Sequence, residues 1–165
     1  MIPRALGLVT FGTALGCGLI AGAFFAFSTF VMKALAALPP AHGVRAMQAI
    51  NVHAPHGLFL ATLLGTAAAC LVLAIQAVAA WSHPGAALRL AGSLAYLVGT
   101  FLVTVLANVP RNDALAAVDA DSVDAAALWT RYLSEWTAWN HVRTLTALAA
   151  AALLTASFLA WRDPS

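Results

Sequence analysis

Residues 57–80 read GLFLATLLGTAAACLVLAIQAVAA and contain no charged side chain. A helix crosses a bilayer with about 20 predominantly apolar residues, so this stretch alone predicts a membrane-spanning helix. Further apolar runs with few charges lie at residues 5–31, 86–107 and 144–161. The sequence therefore predicts an all-α integral membrane protein: a four-transmembrane-helix bundle that forms a single membrane domain over residues 1–165.

The composition agrees with a chain that is embedded in lipid. Hydrophobic residues make up 62% of the sequence and charged residues only 8%, whereas soluble domains carry roughly 25% charged residues. The net charge of +2 is too small to indicate a nucleic-acid partner. The first apolar run is longer than the roughly 7–15 residues of a secretory signal core, so we expect it to remain as a span.

Small residues are concentrated in the first two spans. Cys17 and Cys70 fall near the middles of these spans without a C-x-x-C motif, which predicts buried apolar thiols. Glycines form two small-xxx-small patterns, GTALG at residues 12–16 and GLIAG at residues 18–22. Such patterns let helices approach closely in lipid. We expect packing within the chain, with a homo-oligomer through the glycine-rich first span as the alternative.

The connecting segments predict helices outside the spans. Apolar side chains spaced three apart in AHGVRAMQAIN, residues 41–51, predict a short amphipathic helix. We expect Pro55 in the first turn of the second span. The third span should end near Val109, because a residue before proline is disfavoured in the helical region. An amphipathic interfacial helix before the fourth span, running on into it, is predicted from the aromatic residues Trp129, Tyr132, Trp136 and Trp139.

Polar residues gather at one end of the predicted bundle. Because successive spans alternate in direction, the ends of the first and third spans share a membrane face with the starts of the second and fourth. The polar residues at these ends are Ser28, Thr29, Lys33, Asn51, His53, His56, Asn108, Asn112, Asp113, Asn140, His141 and Arg143. Convergent imidazole, amide and guanidinium groups predict a small-molecule site at this mouth. The alternative is that they only cap helices and contact lipid head groups.

The positive-inside rule gives an orientation for this polar face. Basic residues on it are Lys33, Arg45, Arg111, Arg131 and Arg143, against Arg4, Arg89 and Arg162 on the other face. This bias predicts a cytoplasmic polar face. If Arg111 and Arg143 serve the site instead, the two faces carry equal counts and the bias disappears.

Several motifs resemble those of the anthrone oxygenase family, a family of small membrane proteins. They are, in chain order, GAFFAFSTFVMKAL at residues 22–35, AMQAIN at 46–51, GTFLVTVLANVPRNDAL at 99–115 and WTAWNHVRTLTAL at 136–148. The resemblance extends from about Gly16 to Leu148, and its most specific parts are NVP-x-N and W-x-x-W-N-x-x-R. It implies a membrane protein that oxidises a hydrophobic aromatic small molecule, anthrone-like or polyketide-like, with dioxygen.

That chemistry needs a base, stabilisation of an enolate oxygen and an apolar pocket, and we predict no cofactor for it. His141 is the expected base and His56 the reserve, because imidazole titrates near neutral pH. Arg143, Asn112 and Asn108 are the expected donors to the developing oxyanion. The expected substrate-binding residues are Asn51, Asn140, Ser28 and the aromatic residues Phe24, Phe25, Phe27, Trp136 and Trp139.

Two other functions remain open at the level of sequence. One is a His-ligated metal-dependent membrane oxidoreductase, with His53, His56, His141 and Asp113 as the metal ligands. The other is a membrane subunit without catalytic activity that binds, transports or helps to assemble a lipophilic ligand. Against transport, the sequence has no inverted repeat and no pair of broken helices at mid-membrane depth.

Overall fold

The computed structural model describes residues 4–54 and 56–162, with side chains up to residue 160. Within these residues every regular element is a helix and no strand occurs. Four of the helices are long and apolar enough to cross a membrane, which confirms the predicted all-α fold with four spans. Pro55, expected in the first turn of the second span, lies outside the described residues.

The described chain forms five helical rods. They are α1 (Arg4–Ala36), α2 (Pro40–His53), α3 (Gly57–Ala79), α4 (Ala86–Ala116) and α5 (Ala125–Arg162). Three π-helical segments interrupt the regular helix: Phe27–Val31 in α1, and Ala95–Leu102 and Thr104–Asn108 in α4. The α1, α3, α4 and α5 helices are the spans, and α2 connects the first two of them.

The spans differ in length, and the longer ones extend beyond the hydrocarbon core into a second layer of helices. Helix α3 has 23 residues, about 35 Å at a rise of 1.5 Å per residue, close to the roughly 30 Å of a hydrocarbon core. Helix α5 has 38 residues, about 57 Å by the same rise. The residues by which α1, α4 and α5 exceed the thickness of the hydrocarbon core lie at the end of the bundle where α2 is. We call this layer the headpiece: α2 together with residues 32–36, 109–120 and 125–136.

Two apolar cores follow from this division. The first lies between the four spans and contains, among others, Ile20, Leu73 and Leu154. The second lies inside the headpiece and contains Met32, Leu35, Val44, Met47, Leu115, Trp129, Tyr132 and Trp136. The predicted short helix in residues 41–51 is therefore present as α2, and its apolar side lies in the second core.

The aromatic face that precedes the fourth span differs from our expectation. We assigned it to the membrane interface, but Trp129, Tyr132 and Trp136 are buried in the headpiece, and their rings pack on one another. Only Trp139 of this series is exposed, at 40%. The reason is that α2 and the end of α4 cover these rings, which removes more apolar surface from water than a one-sided contact with lipid.

The expected break at Val109 does not occur. Val109 is helical, and α4 continues through Pro110 to Ala116. The π-helical segment Thr104–Asn108 lies directly before the proline. A π turn shifts the backbone hydrogen bonds away from the regular pattern, so a residue without an N–H is accommodated there more easily than in a regular helix.

Glycines in the spans fall into two groups. A Cβ at Gly16 would lie 2.3 Å from the Thr66 hydroxyl oxygen, and one at Gly99 would lie 2.3 Å from a methyl carbon of Thr146. These two glycines bring α1 against α3 and α4 against α5. Gly12, Gly18 and Gly22 have no atom within 4 Å of such a Cβ. Of the glycines in the two small-xxx-small patterns, packing within the chain thus uses Gly16, and a homo-oligomer through the other three stays a prediction.

Candidate functional site

A network of buried polar groups lies where the two cores meet, and Asn140 is at its centre. The Asn140 amide donates to the Phe24 carbonyl oxygen and to Ser28 Oγ, each at 2.7 Å. Its own oxygen accepts a hydrogen bond of 2.7 Å from Arg143 Nη2. Thr144 Oγ1 lies 3.1 Å from Ser28 Oγ. Residues 140, 143 and 144 share one face of α5 because they are three and four positions apart.

Each π-helical segment supplies a side chain that contacts this face of α5. Ser28 comes from the segment in α1, while Thr104 accepts from Arg143 Nη1 at 3.3 Å. Thr100 donates to the Arg143 carbonyl at 3.3 Å, and Asn108 donates to the Trp136 carbonyl at 3.2 Å. Isolated π turns are frequent at functional sites, where they re-aim side chains relative to a regular helix.

Arg143 is a buried cation with no carboxylate partner among the residues that the structure describes. Arg143 is only 4% exposed. Its guanidinium carbon lies 4.0 Å from the centre of the Phe24 ring and 5.0 Å from the centre of the Trp136 ring. The ion pairs found in residues 4–54 and 56–162 are Arg45–Asp121 and Arg111–Glu135. Aromatic faces and neutral oxygens therefore hold this charge.

Two atoms of the network have unused hydrogen-bonding capacity. Arg143 Nε and Asn108 Oδ1 are both buried and have no hydrogen-bond partner among the described residues. A buried guanidinium N–H that lacks an acceptor favours a ligand that carries or develops negative charge. The site can therefore stabilise an oxyanion next to aromatic rings.

An aromatic stack continues from this network into the headpiece. The rings of Phe27 and Trp136 lie 5.7 Å apart, and Trp136 stacks on Tyr132 at 5.9 Å. Asn112 Oδ1 accepts one hydrogen bond from Tyr132 Oη and one from Trp136 Nε1, each at 2.8 Å. Asn51 donates to Tyr132 Oη at 3.5 Å. Asn112 and Asn51 thus orient the rings that line the site.

The structure brings together only part of the predicted site. The network and its aromatic stack contain Arg143, Asn140, Asn108, Asn112, Asn51, Ser28, Phe24, Phe27 and Trp136. His141, His56, Phe25 and Trp139 are instead exposed. His141 is two positions from Arg143, which places the two side chains on different faces of α5. Its role as the base stays a prediction.

The alternative metal site receives no support from the described residues. Within them no group of three or more His, Cys, Asp or Glu side chains is close enough to hold a metal ion. His53, His56 and Asp113 are exposed, as is His141. The four ligands proposed from the sequence are therefore not gathered into one site.

Sequence reasoning missed the threonines of the network, namely Thr100, Thr104 and Thr144. A signal for them was present. Thr100, Thr104 and Asn108 are four positions apart and form a polar line on an apolar span, and Thr144 follows Asn140 by four. Polar side chains that repeat at helical spacing inside a span face the bundle interior more often than lipid.

Comparison with known proteins identifies the family. A family model described as anthrone oxygenase matches residues 56–153, more than half of the chain. The match includes the Asn108, Asn112, Asn140 and Arg143 positions, whereas the motifs at 22–35 and 46–51 lie before it. No curated protein and no solved structure matches. Because the family model covers the second and third spans and most of the fourth, the chain belongs to the anthrone oxygenase family.

Proposed function

We propose that the protein oxidises a hydrophobic aromatic small molecule, anthrone-like or polyketide-like, with dioxygen at the network around Arg143. One observation carries this proposal. A buried guanidinium lies between the rings of Phe24 and Trp136 and keeps Nε without an acceptor. An enolate with a flat aromatic body fits both features, because its oxygen needs a donor and its rings need apolar surface.

The reaction needs no oxidant besides dioxygen. Loss of one methylene proton from an anthrone gives a delocalised enolate, which reacts with dioxygen to form a peroxide at that carbon. Breaking the O–O bond with loss of the second hydrogen leaves one oxygen atom as the new quinone carbonyl. The other oxygen atom departs as water with both former methylene hydrogens. Dioxygen is the oxidant, and the methylene carbon is oxidised.

Arg143 acts on the first step of this sequence. A fixed cation next to the developing oxyanion stabilises the enolate more than the neutral substrate, which is the condition for a faster reaction. Asn140 and Thr104 hold the guanidinium through Nη2 and Nη1, so Nε is the group left for the ligand. The proton goes to a base outside this network, because no histidine belongs to it.

Oxygen consumption tests the proposal directly. The detergent-purified protein would be mixed with emodin anthrone, and oxygen uptake and quinone absorbance would be followed together against the rate of autoxidation. We expect uptake and quinone in equal amounts, in proportion to protein concentration. A folded, monodisperse sample that binds the anthrone without raising either rate would contradict the oxygenase assignment and favour a binding role.

A further inference from the structure

A second buried arginine lies at the end of the bundle opposite the headpiece. Arg89 is in the first turns of α4 and is only 2% exposed. The turn before α4 is held tightly against α5, since Ser157 Oγ donates to the Gly85 carbonyl at 2.9 Å. Gly85 has φ +78°, and a Cβ there would lie 2.8 Å from the Ser157 carbonyl oxygen. The start of α4 is therefore fixed beside the last turns of α5.

Arg89 is one of three residues near this end of α3 and α4 with buried polar atoms that lack a partner among the described residues. Arg89 Nε and Nη2, Ser93 Oγ and Gln76 Oε1 have no hydrogen-bond partner among the described residues. Ser93 is one turn beyond Arg89 on the same face of α4, and it is fully buried. Gln76 lies near the end of α3, at the same end of the bundle as the start of α4. Buried charges in proteins are normally paired, so this arrangement is incomplete as it stands.

The chain offers Arg89 almost no counter-charge. Its acidic residues are Asp113, Asp119, Asp121, Asp124, Glu135 and Asp163. All of them except Asp163 lie in the headpiece or the loop beside it, at the other end of the bundle. Asp163 follows α5 in the sequence and is outside the described residues. Arg143, by contrast, has two aromatic rings and two hydrogen-bond acceptors around its guanidinium.

We propose that Arg89, at the start of α4, binds a single phosphate group. Cα–Cβ bonds in a helix tilt toward its N-terminus, so the Arg89 side chain leaves α4 on the side of the turn at residues 80–85. Four residues separate Arg89 from Gly85, a rise of about 6 Å. The positive end of the helix dipole adds to the attraction for an anion.

The depth of the site agrees with a phosphate at the membrane surface. Helix α3 is about as long as the hydrocarbon core is thick, so the turn that follows it lies near the head groups. Trp81 in this turn is 59% exposed, as expected for a tryptophan at the interface. The phosphate comes either from a phospholipid head group or from a dissolved phosphate compound, and the experiment distinguishes these sources.

Thermal stability of the delipidated protein provides the test. The melting temperature would be measured without additive, with inorganic phosphate, and with phosphatidylglycerol in mixed micelles. The variants are Arg89→Met, which removes the charge but keeps apolar bulk, and Arg4→Gln, a matched control with the same loss of charge at an exposed position of the same end. Bound phosphorus per protein would be counted in each sample.

We expect phosphatidylglycerol to raise the melting temperature of the wild type and of Arg4→Gln by roughly 5 °C more than that of Arg89→Met. If inorganic phosphate produced the same differences in melting temperature between the three proteins, a dissolved phosphate would be the source. Equal shifts in all three proteins, or no shift in the wild type, would overturn the proposal.

Asp163→Asn controls for a partner within the chain. If Asp163 pairs with Arg89, this substitution lowers the melting temperature and creates a phosphate effect that the wild type lacks, which overturns the proposal. If Arg89→Met does not fold, Arg89→Lys replaces it, because lysine keeps the charge and loses the planar donor geometry. Arg89→Lys is then expected to bind phosphate at least tenfold more weakly, and unchanged affinity contradicts the site.

Discussion

The side-chain amide of Asn140 donates a hydrogen bond of 2.7 Å to the backbone carbonyl of Phe24. Asn140 belongs to the last span and Phe24 to the first, so this contact joins these two spans at the level of the site. The same amide holds Ser28, and its oxygen holds Arg143. Asn140 thus sets the distance between the Phe24 ring and the guanidinium above it.

Arg143→Gln is expected to abolish most of the oxygenase activity. Removing one donor to an oxyanion typically lowers kcat by about 10²–10³-fold, and the substitution also removes the only charge in the network. The rate of oxygen uptake with emodin anthrone measures this effect. Arg131→Gln is the matched control, since Arg131 is on the same helix and exposed. Wild-type turnover in Arg143→Gln would contradict the role of Arg143.

Asn140→Asp is expected to lower both stability and activity, the activity more strongly. The carboxylate keeps the hydrogen bond from Arg143 and supplies a counter-charge, but it cannot donate to the Phe24 carbonyl as the amide does, so we expect a folded variant with a lower melting temperature. A guanidinium that is already paired stabilises a ligand oxyanion much less, and turnover should fall by at least about tenfold. Melting temperature and oxygen uptake are measured on the same preparation. Full activity in the folded variant would argue against the need for an unpaired cation.

His141→Gln tests the base that was predicted from the sequence. Loss of a general base lowers rates by about 10²–10⁴-fold. His141 is exposed, and its role as the base is still our prediction, so we expect His141→Gln to lower turnover by about a hundredfold and to change the pH profile. Turnover within about threefold of the wild type, with the same dependence on pH, would show that the base lies elsewhere.

Gly99→Ala is expected to destabilise the bundle strongly. The added Cβ would lie 2.6 Å from Thr146 Cβ, so α4 and α5 must move apart, and overpacking of this kind costs about 1–3 kcal/mol. Gly18→Ala is the control, because a Cβ at Gly18 meets nothing within 4 Å. Its effect should be neutral or slightly stabilising, since alanine favours helices more than glycine. Equal melting temperatures for the two variants would contradict the close contact.

Much of the fold could be predicted from the sequence because a bilayer imposes length and polarity on each span. The apolar run at 57–80 matches α3 to within one residue. The spans around it are longer than predicted, since residues 109–116 and 125–143 are helical but too polar to count as spans by composition. These stretches stay helical because most of them pack against α2 and against one another in the headpiece, which is a tertiary effect.

The site was predicted less completely, and α5 shows why. Asn140, His141 and Arg143 are neighbours in sequence, and the prediction placed all three in one polar site. On a helix, however, Asn140 and Arg143 share a face that excludes His141. Helical spacing was enough to make this distinction. The π-helical segments, by contrast, depend on contacts between distant helices and have no marker in composition.

The π-helical segment Thr104–Asn108 also restricts how the chain can change in length. A π turn contains one residue more than the regular turn it replaces, so deleting a single residue here would yield a regular α-helix with the usual backbone hydrogen bonds. The same deletion keeps the two halves of α4 in phase but moves the side chains inside the segment by one position, about 100° around the helix axis. Asn108 or Thr104 would then face lipid. Loops tolerate insertions and deletions, but in this stretch of a transmembrane helix the residue count itself should be as tightly constrained as the identity of Arg143.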